Sequence, residues 1–141
     1  MTKLVLAGRT MSALVTVFMV FDASIHIMKI PPVVDAFGQL GYPLSTAVPL
    51  GVLELACTAL YVIPATSALG GILLTAYLGG AVATQVRVAA PLFPVLFPAM
   101  LGALLWVGLY LRDARLRILV PSLVRNAACG YTPAVEESAA R

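Results

Sequence analysis

Three ionisable residues stand at helical spacing inside an otherwise apolar stretch, FDASIHIMK. Asp22, His26 and Lys29 are separated by four and three positions, so a single helix carries all three on one side. A carboxylate, an imidazole and an amine on one face can exchange protons with a bound molecule or hold a charged ligand. Glu54 is a second acidic residue in a largely apolar run, LELACTALY. These residues are the first candidates for the chemistry of the protein.

The composition indicates that these charges lie in a membrane. The chain has 141 residues, of which 61% are hydrophobic and 11% are charged, and its mean hydropathy is +1.00. Soluble domains carry about 25% charged residues. Too few charges are therefore present to cover a surface in water, and the sequence predicts an integral membrane protein.

Four apolar segments are long enough to cross a bilayer, which takes about 20 helical residues. Prolines or arginines follow each of them and stop the helix, as in IPP after the first and RDARLR after the fourth. Continuous apolar runs of this length exclude strands. The predicted fold is an all-α transmembrane four-helix bundle, with spans at residues 10–30, 45–63, 66–88 and 92–111.

Three further features complete this architecture. Residues 33–40 (VVDAFGQL) predict a short amphipathic helix at the membrane surface, between the first two spans. After a membrane domain of residues 1–121, the small and polar residues 122–141 predict a disordered cytoplasmic tail. In residues 66–88 small residues recur every four positions, which predicts close helix packing within the bundle, with a homo-oligomer contact as the alternative.

The basic residues predict the direction in which the helices cross. Lys3 and Arg9 precede the first span. Because lysine and arginine concentrate on the cytoplasmic side, both termini are predicted to be cytoplasmic. The net charge of +3 then belongs to the membrane flanks, and nucleic-acid binding is not expected. Four arginines follow the last span: Arg112, Arg115, Arg117 and Arg125.

This orientation sorts the polar residues inside the membrane by depth. Asp22 and Glu54 fall near the midplane, where each charge costs at least about 2.5–3.5 kcal/mol. His26 and Lys29 follow Asp22 on the same helix and lie about 6 and 10 Å further out along its axis. The outer layer consists of His26, Lys29, Gln85 and Arg87.

Two interpretations of these layers remain open. In the first, they line a polar cleft that opens outward, in which Asp22 and Glu54 handle protons as catalytic residues and the outer layer binds a ligand. In the second, they are structural polar contacts that fix the helix register, Asp22 with His26 or Lys29 and Glu54 with Arg87. Lys29 and Arg87, near helix ends, could instead reach the lipid headgroups.

Metal and thiol chemistry find little support in the sequence. His26 is the single histidine, and the two cysteines, Cys57 and Cys129, form no CxxC pair. No dedicated metal site and no intramolecular disulfide are therefore predicted. Four aromatic residues suit either a cleft lining or a belt at the membrane surface: Tyr61, Tyr77, Trp106 and Tyr110.

Several motifs resemble those of the DoxX-like family of small bacterial membrane proteins. The most specific are LTAYLGGAVATQVRV in the third span and LYLRDARLR after the fourth, and the resemblance extends over residues 18–121. It implies a four-helix protein of the bacterial inner membrane. The residues that match the family pattern are Asp22, Lys29, Glu54 and Arg87.

The chain departs from the family pattern at two polar positions. The family usually has a lysine where this chain has His26 and often a histidine where it has Gln85. The basic layer is therefore thinner than in relatives, and chemistry that needs a second histidine is not expected.

The resemblance also implies redox-linked work. Some relatives in the wider group are linked to membrane redox systems, such as a subunit of a thiosulfate:quinone oxidoreductase or partners of thiol and superoxide enzymes. A distant eukaryotic relative is a receptor-assembly chaperone. The favoured function is an accessory or oxidoreductase subunit that binds a small hydrophobic or anionic molecule, with quinone as the candidate cofactor and a soluble or membrane redox protein as partner. The alternatives are a membrane chaperone or scaffold and a small-solute transporter.

Overall fold

The computed structural model describes residues 3–117, and these residues form helices and turns without a strand. A short 3-10 turn, Leu44–Thr46, precedes the third helix. The predicted tail of residues 122–141 lies outside the described residues, as do Arg125 and Cys129. The helices are α1 (Lys3–Met28), α2 (Pro31–Leu40), α3 (Ala47–Val62), α4 (Ser67–Arg87) and α5 (Leu92–Arg112).

Four helical segments are long and apolar enough to cross a membrane, which confirms the predicted all-α transmembrane bundle. α1 begins at Lys3, well before residue 10. The basic residues of this flank do not interrupt the helix, because residues 3–9 contain no proline and each backbone N–H group there can donate. The four segments are Lys3–Met28, Leu44–Val62, Ser67–Arg87 and Leu92–Arg112.

The predicted amphipathic segment between the first two spans is α2. It starts at two prolines, which occupy its first positions, and its last residue is followed by the C-cap Gly41, whose φ of 68° is left-handed. Glycine adopts this conformation without the steric cost that a Cβ atom brings. Val33 and Phe37 are buried on one side of α2 and pack with Ala47 at the start of α3. α2 therefore caps one end of the bundle.

The four spanning helices form a closed ring, in which α1 and α4 each pack against both α3 and α5. Large side chains on the outside remain apolar and exposed, such as Leu14 at 66% and Phe93 at 73%. Lipid tails solvate such a surface, and backbone groups satisfied within helices need no water there. The core along the ring's axis consists of Val15, Met19, Cys57, Tyr61, Leu74, Leu78, Leu105 and Leu109.

The small-residue stripe of α4 divides into two halves. A Cβ atom added at Gly71 would lie 3.2 Å from Leu109, so this half packs inside the bundle. A Cβ atom at Gly79 or Gly80 would meet no atom within 4 Å. Intramolecular packing therefore accounts for the first half only, and a homo-oligomer contact through the second half stays a prediction.

Candidate functional site

The two acidic residues meet because α1 and α3 approach closely at Gly51. This glycine stands on the same face of α3 as Glu54, one turn before it. A Cβ atom at Gly51 would lie 2.8 Å from the carbonyl oxygen of Ala23 and 3.2 Å from the Cβ atom of His26. The missing side chain lets the two backbones touch. Asp22, next to Ala23 on α1, is thereby placed beside Glu54.

Asp22, His26 and Glu54 form one cluster, which we call the acidic cluster. Each residue offers one carboxylate oxygen or ring nitrogen, and these atoms lie within 4.8 Å of one another. The Nδ1 atom of His26 is 2.8 Å from the backbone carbonyl oxygen of Asp22 and 3.5 Å from its Oδ2 atom. Because a carbonyl oxygen only accepts, Nδ1 carries the proton. In the neutral ring, Nε2 is then an acceptor.

Glu54 is the buried centre of the cluster, with no exposed surface. The hydroxyl of Tyr77 on α4 donates to its Oε2 atom over 2.9 Å. The Oε1 atom is also buried and finds no hydrogen-bond donor among the described residues. The side chains of His26 and Asp22 keep 19% and 29% of their surface exposed. The cluster is therefore closed at Glu54 and partly open on the α1 side.

α2 covers the acidic cluster on the side of His26. The His26 ring stands edge-on to Phe37 with 5.7 Å between the ring centres. Arg87, at the end of α4, fixes the far end of α2, since its guanidinium donates to the carbonyl oxygen of Leu40. The same guanidinium lies 5.6 Å from the ring centre of Tyr42. A cation at the carboxyl end of a helix also interacts favourably with the helix dipole.

The outer layer predicted from the sequence is thus only partly gathered at the acidic cluster. His26 belongs to it. Arg87 contacts Leu40 and Tyr42 rather than Glu54. Lys29 lies in the α1–α2 turn with an exposed side chain and a φ of 51°. Gln85 is half-buried, eight positions beyond Tyr77 on α4 and thus about 12 Å along the helix axis. The ligand-binding roles of these three residues stay predictions.

Sequence reasoning left the two residues that assemble the site undecided or unnoticed. The sequence allows Tyr77 to line a cleft or to lie in a belt at the membrane surface, because the residues of α4 do not indicate which way its side chain points. Gly51 was missed, although its spacing of three from Glu54 was the available signal. In the structure Tyr77 reaches Glu54, and Gly51 lies against α1.

A second buried polar network lies in the other half of the bundle. The hydroxyl of Tyr61 donates to the carbonyl oxygen of Leu105 over 3.0 Å and is 2.9 Å from the hydroxyl of Ser12. Since the tyrosine proton is used by the carbonyl, the serine donates to the tyrosine. This network of hydroxyl groups joins α1, α3 and α5 inside the bundle.

The acidic cluster also has the donor types of a cation site. One imidazole and two carboxylates within 4.8 Å suit a small divalent ion, which would keep further positions open for other ligands. Three side chains that could bind a metal ion lie close together here, and the prediction that the chain has no dedicated metal site stays a prediction.

The fold and the match to known families agree. Residues 10–108 match the model of the DoxX-like family, which is more than half of the chain. The chain belongs to the DoxX-like family. This DoxX-like protein is a multi-pass membrane protein with four apolar helices, and the acidic cluster and Tyr77 all lie within the matched region. Neither the curated proteins nor the solved structures gave a match.

Proposed function

We propose that this DoxX-like protein is an accessory subunit of a membrane redox system. In this proposal it binds a small hydrophobic molecule of the quinone class at the acidic cluster, and Asp22 and Glu54 exchange protons with that molecule. The observation that carries the proposal is the state of Glu54. Its carboxyl group is fully buried, Tyr77 donates to one oxygen, and the other oxygen finds no donor in residues 3–117.

The position of the two carboxyl groups favours a shared proton. Two negative charges within 4.8 Å repel each other strongly where the dielectric constant is low. A proton on one of the two groups removes this repulsion and supplies a hydrogen bond that a buried carboxyl oxygen needs. A pair that holds one proton can donate it or accept a second one, as its ligand requires.

The charges around the acidic cluster favour a neutral ligand over an anionic one. The sequence left both classes open because basic residues were expected beside the acids. Arg87 is engaged with Leu40 and Tyr42, and the side chain of Lys29 is exposed in a turn. The groups left beside a ligand are mainly acidic and would repel an anion.

A quinone suits this environment because it is neutral, dissolves in the bilayer, and binds or releases protons whenever it is reduced or oxidised. In quinol oxidation the hydroxyl protons pass to the carboxyl pair and to Nε2 of His26, and the electrons pass to a partner redox protein. Reduction runs the same transfers backward. The partner protein, as the source or acceptor of electrons, is part of the proposal.

A binding titration tests the proposal. A short-chain ubiquinone analogue is titrated into the purified protein in detergent micelles, with isothermal calorimetry as the readout. Glu54→Gln keeps the shape of the side chain but removes the proton-exchanging group, and we expect it to weaken binding about tenfold or more, the effect of losing one hydrogen bond to a charged group. Asp35→Asn, an exposed position on α2, is the matched control and should bind like the wild type. Failure of the wild type to bind the analogue, or equal binding by Glu54→Gln, would refute the proposal.

A membrane chaperone or scaffold is the second candidate function, because α4 presents the open face at Gly79 and Gly80. Small residues on an exposed face let a partner helix approach closely. Under this alternative, Gly79→Leu removes a co-purifying membrane protein while binding of the quinone analogue, if any, is unchanged. Under the redox proposal, Glu54→Gln weakens binding of the quinone analogue, and Gly79→Leu does not change it.

A further inference from the structure

A pocket of about 490 Å³ opens at the end of the bundle where α1 begins and α5 ends. It lies at the opposite end from α2, so the proposed redox site does not use it. Its volume falls within the range of about 300–1,000 Å³ that is typical of ligand sites. The walls come from α1, the α3–α4 turn and the end of α5: Arg9, Pro64, Ala65, Ser67, Arg112, Asp113 and Arg115.

The walls of this basic pocket carry three guanidinium groups and one carboxylate. The carboxylate, that of Asp113, contacts other residues of the pocket wall. The Oδ1 atom of Asp113 accepts the backbone N–H of Arg115 over 2.9 Å, and its Oδ2 atom is 3.5 Å from the hydroxyl of Ser67. Positive charge therefore dominates, and the pocket suits an anion.

Arg112 is held in place before any ligand arrives. Its Nη2 atom donates to the carbonyl oxygen of Tyr61 over 2.6 Å, and its guanidinium lies 4.5 Å above the centre of the Tyr61 ring. A guanidinium has five N–H donors in a planar fork that matches phosphate oxygens. Since the side chain is already ordered, binding an anion costs little further conformational entropy.

The start of α4 adds to the positive potential of the pocket. Ser67 is the first residue of this 21-residue helix, and the N-cap residue, Thr66, makes no side-chain hydrogen bond to the first turn. The hydroxyl of Thr66 donates to the carbonyl oxygen of Leu60 instead. The positive end of the helix dipole thus supports the arginines in attracting an anion.

The position of the pocket indicates which anion is at hand. The apolar helices α3 and α5 end and α4 begins at this level, which is the depth expected for the lipid headgroups, where phosphate is always present. Apolar residues next to the pocket in the chain are exposed, with Val62 at 48%, Ile63 at 49% and Leu69 at 51%. They offer a surface along which acyl chains can lie.

We propose that the basic pocket binds the phosphodiester headgroup of an anionic phospholipid. Basic pockets between membrane helices on the cytoplasmic side recognise such headgroups in other proteins. A zwitterionic phospholipid carries the same phosphate together with a positive group, which the arginines repel. The pocket should therefore discriminate by net headgroup charge.

Thermal unfolding of the full-length protein in neutral detergent tests this proposal. Three probes are added separately: phosphatidylglycerol, phosphatidylcholine and inorganic phosphate. Phosphatidylglycerol should raise the melting temperature at lower concentrations than phosphatidylcholine does. Arg115→Gln should raise the phosphatidylglycerol concentration required about fivefold, the effect of one basic residue at a membrane surface. Lys29→Gln, which removes an exposed cation at the opposite end, should leave it unchanged.

Three results would overturn the proposal. Equal stabilisation by the two lipids would show that the pocket does not discriminate between them by headgroup charge. If Arg115→Gln needs the same phosphatidylglycerol concentration as the wild type, the lipid does not bind in the basic pocket. Arg9→Gln repeats that comparison if Arg115→Gln does not fold. Stabilisation by inorganic phosphate that matches that of phosphatidylglycerol and depends equally on Arg115 would show a site for free phosphate rather than for lipid.

Discussion

Tyr77 donates a hydrogen bond from α4 to the buried side chain of Glu54. A buried acceptor that loses its donor costs about 1–3 kcal/mol, because it cannot return to water. The hydrogen bond from Tyr77 also fixes the orientation of the Glu54 carboxyl group. One phenolic group on α4 thus supports the part of the site that α1 and α3 form.

Replacing Tyr77 by phenylalanine should therefore lower the free energy of unfolding by about 1–3 kcal/mol, since the ring still fills its space and only the hydrogen bond is lost. Unfolding in mixed detergent micelles, followed by circular dichroism, measures this change. Tyr110→Phe, at a position that is 40% exposed, is the control and should change little. A loss in Tyr77→Phe no larger than in the control would mean that another donor serves Glu54.

At the scale of helices, the contact between α1 and α3 decides whether the acidic cluster exists. It depends on Gly51, where an added Cβ atom would come within 2.8 Å of a backbone oxygen and 2.9 Å of the Ile27 side chain. Backbone atoms cannot rotate away as the end of a side chain can. Any side chain at this position must separate the two helices, and with them Asp22 and Glu54.

Two glycine-to-alanine variants test this contact. Gly51→Ala should destabilise the bundle by about 1–3 kcal/mol, the usual cost of overpacking, and weaken binding of the quinone analogue. Gly79→Ala adds the same methyl group where nothing lies within 4 Å, and it should stabilise α4 by about 0.5–1 kcal/mol through helix propensity. Unfolding in mixed micelles measures both. Equal effects of the two substitutions would show that α1 and α3 do not touch at Gly51.

The whole molecule is a bundle with two different ends. α2 closes one end, and the other carries Arg9, Arg112 and Arg115 around the basic pocket. We expect this basic end to face the cytoplasm of a bacterial inner membrane, because lysine and arginine concentrate on that side. The acidic cluster, on the α2 side of the bundle, then communicates with the outer surface.

Reporter fusions in a bacterial host test this orientation. A fluorescent protein that folds only in the cytoplasm, fused after Arg141, should be fluorescent. Alkaline phosphatase, which is active only outside the cytoplasm, should be active when inserted at Gly41 after α2 and inactive at Ala65 in the α3–α4 turn. The reverse pattern would place the basic pocket outside and contradict the proposed orientation.

Much of the fold and about half of the candidate site could be predicted from the sequence. Apolar runs bounded by prolines gave the four spans, and the spacing of Asp22 and His26 placed both on one face of α1, as they are in the structure. An ion pair between Glu54 and Arg87 was one of the two open interpretations, and in the structure the guanidinium of Arg87 donates to the end of α2 instead. The depth of a residue along its helix follows from counting residues, so it was predictable. Which residue of a neighbouring helix it contacts was not predictable in this way.

Composition and the order of residues determined by themselves that this is a membrane protein of the DoxX-like family with four helices long and apolar enough to cross the bilayer. The tertiary structure alone decided that Tyr77 serves Glu54 and that Gly51 brings α1 to α3. The reason is the solvent. Lipid tails are as apolar as the core, so helices that are apolar on all sides carry little sequence information on how they are rotated. Rotation is set by the close packing of small and polar residues, which only appears once the helices are together.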